Sequence, residues 1–207
     1  MPAVKGNELV WRTLADAALG GRRRWASVGE LADEAGVPSR TGYLALEKLI
    51  EVGAVEARSP GIATTNPEKT LTILAAHRNL THDTLVTTTV AGIWPYLDRS
   101  SHPYAIGGTD AAVTHLGNVS SFADFGQWLV YLPEAVDLSD LPAGEEVRVV
   151  RMDARAQRNW INGFTSLAQT YADLFASPER PAEELRRAIW ARYFSALDWE
   201  QRGPGGQ

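Results

Sequence analysis

The 207-residue sequence predicts an α+β protein of two units, an N-terminal helical unit closed by a β-hairpin and a mixed α/β unit behind it. Three observations carry this expectation. Apolar residues recur at helical spacing through residues 8–19, 27–35 and 39–52, and two short strand-like runs flank a Ser59-Pro60-Gly61 turn. Further on, WLVYLP (128–133) and VRVVRM (147–152) are rich in β-branched and aromatic residues and read as strands lying among helical stretches. The length suits one full domain plus a smaller one, because single domains cluster at roughly 100–150 residues. The expected division is 1–66 for the first unit and 67–200 for the second, with a connecting helix at 67–80 and a loose tail at 201–207.

In chain order, Leu9, Leu14, Ala17 and Ala18 mark the first helix, which Gly20-Gly21 stops. Ser27 caps the second, with Glu30 at capping-box spacing and Val28, Leu31, Ala32 and Ala35 as its buried stripe; Gly36 ends it. After Val37-Pro38, Ser39 is the expected cap of a third helix whose Leu46, Leu49 and Ile50 face inward, and Gly53 closes that helix. Residues 54–58 and 62–65 are the strands of the hairpin. Asn66-Pro67-Glu68 opens the connecting helix with proline just inside its cap. Residues 85–97 form an apolar stretch interrupted by Pro95, 104–108 a short strand and 109–116 a helix ended by Gly117-Asn118. Residues 167–175 and 182–199 are helical by period, the latter through Leu185, Ala188, Ile189, Tyr193 and Leu197. No internal repeat or low-complexity tract is present.

Composition narrows the classes of function. Hydrophobic residues make up 44% and charged residues 22%, the mix of a chain able to fill a core. There is no cysteine, which excludes disulfides, thiolate metal sites and thiol catalysis. No stretch approaches the roughly 20 apolar residues that span a bilayer and the N-terminus lacks a signal-peptide core, so a cytoplasmic protein with no membrane partner is expected. The net charge of −5 disfavours nucleic acid, yet it is unevenly shared. Residues 1–62 carry eight basic and eight acidic side chains, whereas the rest carries twelve against seventeen.

Helix, helix, turn, helix, strand, turn, strand is the order of a winged helix-turn-helix, whose third helix enters the major groove while the hairpin touches backbone or minor groove. If the leucines face inward, Ser39, Arg40, Thr41, Tyr43 and Leu44 lie on or near the exposed N-terminal half of that helix. Arg40 is then suited to guanine or phosphate, Tyr43 to phosphate or a thymine methyl, and Ser39 and Thr41 to backbone oxygens. Lys48 is at best a phosphate contact. Arg58 at the hairpin tip and Arg22, Arg23 and Arg24 in the loop before the second helix are further phosphate candidates. The plainer alternative is a small core with solvated arginines. The segment SRTGYLALEKLIEVG resembles the recognition helix and exit of winged-helix repressors, S-R-T, a leucine pair three apart and a closing glycine. It departs at Gly42, where those repressors carry a branched apolar residue.

The second unit offers a sharper chemical alternative. In YAIGGTDAAVTHLGN a strand ends in Gly107-Gly108 and opens a helix, as at the start of nucleotidyltransferases, where glycines and a helix N-terminus receive phosphate. Such enzymes require paired carboxylates on the next strand to hold metal ions, and FADFGQW supplies Asp124 with Gly126 in the partner's place. A nucleotidyltransferase-like relic topology without catalysis, metal or cofactor is therefore expected, with Gly107, Gly108 and Asp110 serving as turn and cap. A working nucleotide-binding or nucleotidyltransferase-like enzyme is the alternative. His77, His82, His102 and His115 have no zinc spacing, and Trp94, Trp128, Trp160, Trp190 and Trp199 are scattered as core or interface residues are.

Taken with NPEKTLTILAAHRNL, WLVYLP and QTYADLFASPERPAEELRRAIWARY, these pieces resemble the AbiEi-type antitoxins of type IV abortive-infection toxin–antitoxin systems, over roughly residues 10–195. The most distinctive of them run from Gln169 to Leu174 and from Pro178 to Arg180. The resemblance implies a repressor that binds inverted repeats in double-stranded DNA upstream of its own operon, with a C-terminal domain serving antitoxicity or DNA engagement. It also implies a cognate nucleotidyltransferase-type toxin. The second unit lacks the strongly basic surface that a DNA role there would need. A palindromic operator calls for two-fold symmetry, hence a homodimer or two monomers side by side on DNA. A winged helix that binds only protein is the third alternative.

Overall fold

Fourteen residues, Gly6–Leu19, form the first helix, α1, and it is buried on most of its circumference through Leu9, Val10, Trp11, Leu14, Ala15 and Ala18. The computed structural model describes residues 5–118, 126–133, 135–153 and 155–195 of the chain. Three further helices pack on α1, which is why an amphipathic stripe is not enough for it: α2 (Val28–Ala35), α3 (Ser39–Glu51) and α4 (Pro67–His77). A small antiparallel sheet completes the unit, from β1 (Arg24–Trp25), β2 (Val55–Ala57) and β3 (Ile62–Thr64) in the order β1-β3-β2. Arg24 pairs with Ala63 and Trp25 with Ile62, so the arginine run expected to be loop contributes an edge strand.

The capping chemistry of α2 follows the sequence. Ser27 Oγ accepts from Glu30 N at 3.0 Å, and the Glu30 carboxylate reaches back to Ala26 N at 2.6 Å. The start of α3 does not. Pro38 occupies the cap position in extended conformation, Ser39 is the first helical residue, and no side chain caps the helix. Because Thr41 N and Gly42 N both bond to Pro38 O, the turn leaves the serine one step inside the helix it was expected to cap. Ile50 is a second correction, being 45% exposed. Gly42, Ala45, Leu46 and Leu49 make the buried stripe, and Ile50 lies roughly a quarter turn from its centre.

The exit of α3 is a Schellman motif. Gly53 takes the left-handed conformation at φ 69°, Gly53 N bonds to Ile50 O at 3.0 Å and Ala54 N to Leu49 O at 2.7 Å. Lys69 of α4 adds its ammonium to Val52 O at 2.7 Å, placing a cation at the negative end of α3. With α4 packed on α1, the expected division at 66/67 moves to Arg78/Asn79: residues 5–78 cluster with 193–195, and residues 79–192 form the other unit. Apolar packing of Leu71, Leu74 and Ala75 makes α4 part of the first core rather than a connector.

In the second unit, α5 (Leu80–Asp83) leads into β4 (Thr84–Thr88) and α6 (Val90–Arg99). Pro95 lies inside α6 and does not end it, since Thr89 caps the helix and Ile93 and Leu97 anchor it in the core. Then come β5 (Ala105–Gly107), α7 (Gly108–His115), β6 (Trp128–Pro133), β7 (Val147–Met152), α8 (Leu167–Ala176) and α9 (Arg180–Ile189), which runs into a π-turn at Trp190–Phe194. Leu197, and the tail at 201–207, fall outside the described residues.

The sheet runs β4-β7-β6-β5, with β6 and β7 parallel and both outer pairs antiparallel. Val130 and Leu132 of β6 join Ile93, Leu97, Val147 and Val149 on one face, while Leu129 and Tyr131 join Leu80, Ala105 and Val150 on the other. Both faces of β6 are covered, which accounts for a continuous apolar run instead of an alternating one. On the second face Tyr131 reaches α8, its hydroxyl 2.7 Å from each oxygen of the fully buried Asp173. Gln169 Nε2 donates to the same hydroxyl at 3.1 Å and to Asp173 Oδ1 at 2.9 Å.

Candidate nucleic-acid interface

The surface of the first unit follows from the helical period of α3. With Leu46 and Leu49 inward, the opposite side presents Arg40, Tyr43, Leu44, Glu47, Lys48 and Glu51, all exposed. Tyr43 is 59% and Leu44 50% exposed, large fractions for residues of their size. Thr41 is half-buried, with its methyl against Gly6 at the start of α1, and Ser39 is exposed. The α3 backbone is tied from behind, since Trp11 Nε1 donates to Ala45 O at 2.8 Å.

Beside α3 stands the hairpin of β2 and β3. Arg58 N bonds to Gly61 O at 2.8 Å to close its turn, and Ala57, Arg58, Ser59 and Pro60 are all exposed. Each of its strands is only three residues long; Val55 and its partner Thr64 are buried at the base, and Ile62, opposite Ala57 at the turn end, is buried as well.

The candidate cations differ in their engagements. Arg40 is exposed and has no partner among the described residues, and Arg24 projects from the edge strand to solvent. Lys48 pairs with Glu51 at 3.0 Å and Arg58 with Glu56 at 3.1 Å. Such exposed pairs are worth about 0–1 kcal/mol, so a phosphate can take over the cation at little cost. Arg22 is held more firmly: it donates to Glu30 and Glu34 at 2.9 Å each and lies 5.0 Å over the Trp25 ring, whose Nε1 also bonds to Glu34. Its place is that of a clamp between β1 and α2. Arg23 is half-buried, with its backbone carbonyl bonded to Thr64 N.

Two features of this surface had no sequence signal. The outward turn of Ile50 depends on where the helix is pressed against the core, and the pairing of Arg24 depends on a strand two residues long. Gly42, by contrast, stood out in the sequence. A Cβ there would meet Ala32 Cβ at 3.1 Å and Val28 Cγ1 at 3.2 Å, so the glycine sets a close approach of α3 to α2.

The glycine turn of the second unit occupies the junction of β5 and α7. Gly108 is left-handed at φ 62°, Gly107 lies against Tyr131 and Asp173, and no side chain caps α7. Burial pushes the Asp110 carboxyl up to about 6, against its hydrogen bonds to its own backbone and to Thr109. His115 at the other end bonds to Thr165 O at 2.9 Å, and burial holds its pKa below the ordinary value. Asp124 lies outside the described residues. Of the other histidines, His77 is exposed against Trp11, His82 bonds to Asp83 at 3.0 Å and His102 is exposed. Trp94 packs edge-on to Trp128 at 5.4 Å, and Trp190 lies 5.8 Å from Tyr171; Trp199 falls outside the described residues. Among the described residues no helix is long and apolar enough to cross a membrane. Compared with known proteins, the chain matches no family model, no curated protein and no solved structure.

Proposed function

We propose that the first unit is a winged helix-turn-helix that binds double-stranded DNA in a sequence-specific way, and that the chain is an autoregulating repressor of the antitoxin kind. The observation that carries this is the outward placement of Arg40 and Tyr43 on α3, together with the exposed turn of the hairpin at Arg58. A helix with its leucines inward and an unengaged guanidinium outward suits the major groove, where arginine reads guanine by two parallel hydrogen bonds. Arg58, Lys48 and Arg24 suit phosphates, and Arg22 contributes by holding β1 to α2. We take the DNA to be the chain's own operator, an inverted repeat met by two copies. A nucleotidyltransferase-type toxin is the proposed partner of the second unit. We assign the chain no catalytic step and no cofactor.

Binding of the purified chain to the DNA flanking its own gene tests the proposal, by fluorescence anisotropy over a range of salt against a scrambled duplex. Specific binding is expected to weaken with salt at a slope of about −3 per copy, for three phosphate contacts. Equal affinity for both duplexes, or none for either, would overturn it.

A second reading rests on the same helix. Tyr43, Leu44 and Ile50 are exposed apolar side chains on a surface where Arg40 and Lys48 are balanced by Glu47 and Glu51. Balanced charge around apolar groups suits a protein partner. Co-purification of a partner that Tyr43→Ala abolishes, in the absence of DNA affinity, would favour it.

A further inference from the structure

We infer that Glu47 is a specificity-determining residue of the first unit, a carboxylate that selects cytosine through its N4 amino group; this rests on the reading of α3 as the helix that enters the major groove. Arg40, Leu44 and Glu47 follow one another at helical spacing, so they form one line down α3, and all three are exposed. That line runs opposite the buried stripe of Gly42, Ala45, Leu46 and Leu49. A helix docked by this face sets its outermost line deepest in the groove, which brings Glu47 to the base edges along with Arg40.

What sets Glu47 apart is that its charge is unengaged. The other carboxylates of α3 and the hairpin are each taken by a cation, Glu51 by Lys48 at 3.0 Å and Glu56 by Arg58 at 3.1 Å. Glu47 has no such partner among the described residues. Arg40 stands two helical turns away, about 10 Å along the axis, with Leu44 between them.

An unpaired carboxylate on this line finds few suitable neighbours in a duplex. Phosphates repel it. In the major groove guanine offers the acceptors O6 and N7 and thymine the acceptor O4, which repel it as well. Cytosine presents a donor, its N4 amino group, whereas adenine sets its N6 donor beside the N7 acceptor. Cytosine is therefore the base that answers Glu47. On other sequences the carboxylate is left desolvated and unpaired, which costs affinity there and so raises discrimination. The helical rise also spaces the site: about 10 Å is roughly three base-pair steps, so the cytosine lies about three base pairs from the guanine assigned to Arg40.

The test is selection from a randomised duplex pool by the full chain, followed by sequencing, with anisotropy on the selected and scrambled duplexes. The wild type is expected to enrich a C·G pair about three base pairs from the G·C pair whose enrichment Arg40→Ala removes. Glu47→Gln is expected to lower the preference for cytosine at that position about ten-fold and to move it to adenine, whose N6 and N7 a glutamine meets with two hydrogen bonds. Glu47→Gln and Glu47→Ala are both expected to bind the scrambled duplex more tightly, since a charge that phosphates repel is gone. Glu51→Gln, which removes a carboxylate already paired with Lys48, is expected to leave the base preference as it is. Melting temperatures check that the variants are folded. A pool left random by the wild type would overturn the DNA reading and this assignment together. Selection by the wild type, with the same base preference in the Glu47 variants or with their affinity lost alike for all duplexes, would overturn the assignment of Glu47 alone.

Discussion

Gly42 of α3 stands so close to Ala32 of α2 that a Cβ on the glycine would lie 3.1 Å from the alanine Cβ. Val28 Cγ1, 3.2 Å away, closes the other side of the same contact. The α2–α3 turn is thus packed through backbone and small side chains. A branched side chain at position 42 has no room without moving one helix from the other. Gly42→Val is expected to destabilise the protein by about 1–3 kcal/mol, the usual cost of overpacking. Urea unfolding measures it, and an unchanged midpoint would mean that the α2–α3 contact yields freely.

Arg40 and Arg58 are both exposed, but they are assigned different work on DNA. Arg40→Ala is expected to cost about 1–3 kcal/mol on the operator and little on a scrambled duplex, as loss of a base contact does. Arg58→Ala is expected to weaken both duplexes alike and to reduce the salt slope by about 1, as loss of a phosphate contact does. Anisotropy on the two duplexes separates these outcomes. An Arg40 variant with unchanged affinity and unchanged sequence preference removes that residue from the interface.

Tyr131 supplies a hydroxyl to both oxygens of Asp173, a side chain with no exposure at all. Tyr131→Phe keeps the ring in its packing and deletes the donor. A buried carboxylate that loses a hydrogen bond costs more than the bond's average worth, and a loss of about 1.5–3 kcal/mol is expected. Chemical denaturation of the variant checks the figure. A loss below about 0.5 kcal/mol would show that Asp173 finds another donor.

Asp110 gives the stability of the second unit a pH dependence. Its carboxyl is raised by burial to about 6, above the ordinary 3.8, so the folded chain holds this proton more tightly than the unfolded chain does. The contribution is fully present below 3.8 and is lost as pH rises towards about 6. His115 works in the opposite direction. Its lowered pKa means that stability falls as pH drops below the ordinary 6.5. Asp110→Asn is therefore expected to stabilise the protein at neutral pH and to remove the decline between about 4 and 6 while leaving the histidine's part. Melting temperatures of the two proteins across that range provide the comparison. Parallel curves would show that Asp110 is not the responsible group.

Local chemistry and periodicity were legible in the amino-acid order. Ser27 with Glu30, Asn66 with Pro67, the glycine at 53 and the strands at Trp128–Pro133 and Val147–Met152 all act over a few residues, so their neighbours in sequence are also their neighbours in space. The exposure of Arg40 and Tyr43 followed from the same short-range period. Tertiary packing decided the rest. Arg24–Trp25 becomes a strand only because β3 offers it an edge, and α4 joins the first unit because its apolar face meets α1. Ile50 turns outward because the core touches only one stripe of α3. The cavity that Gly108, Arg148 and Glu179 line in the second unit had no counterpart in any local pattern, since only sheet order and helix docking bring these three stretches together.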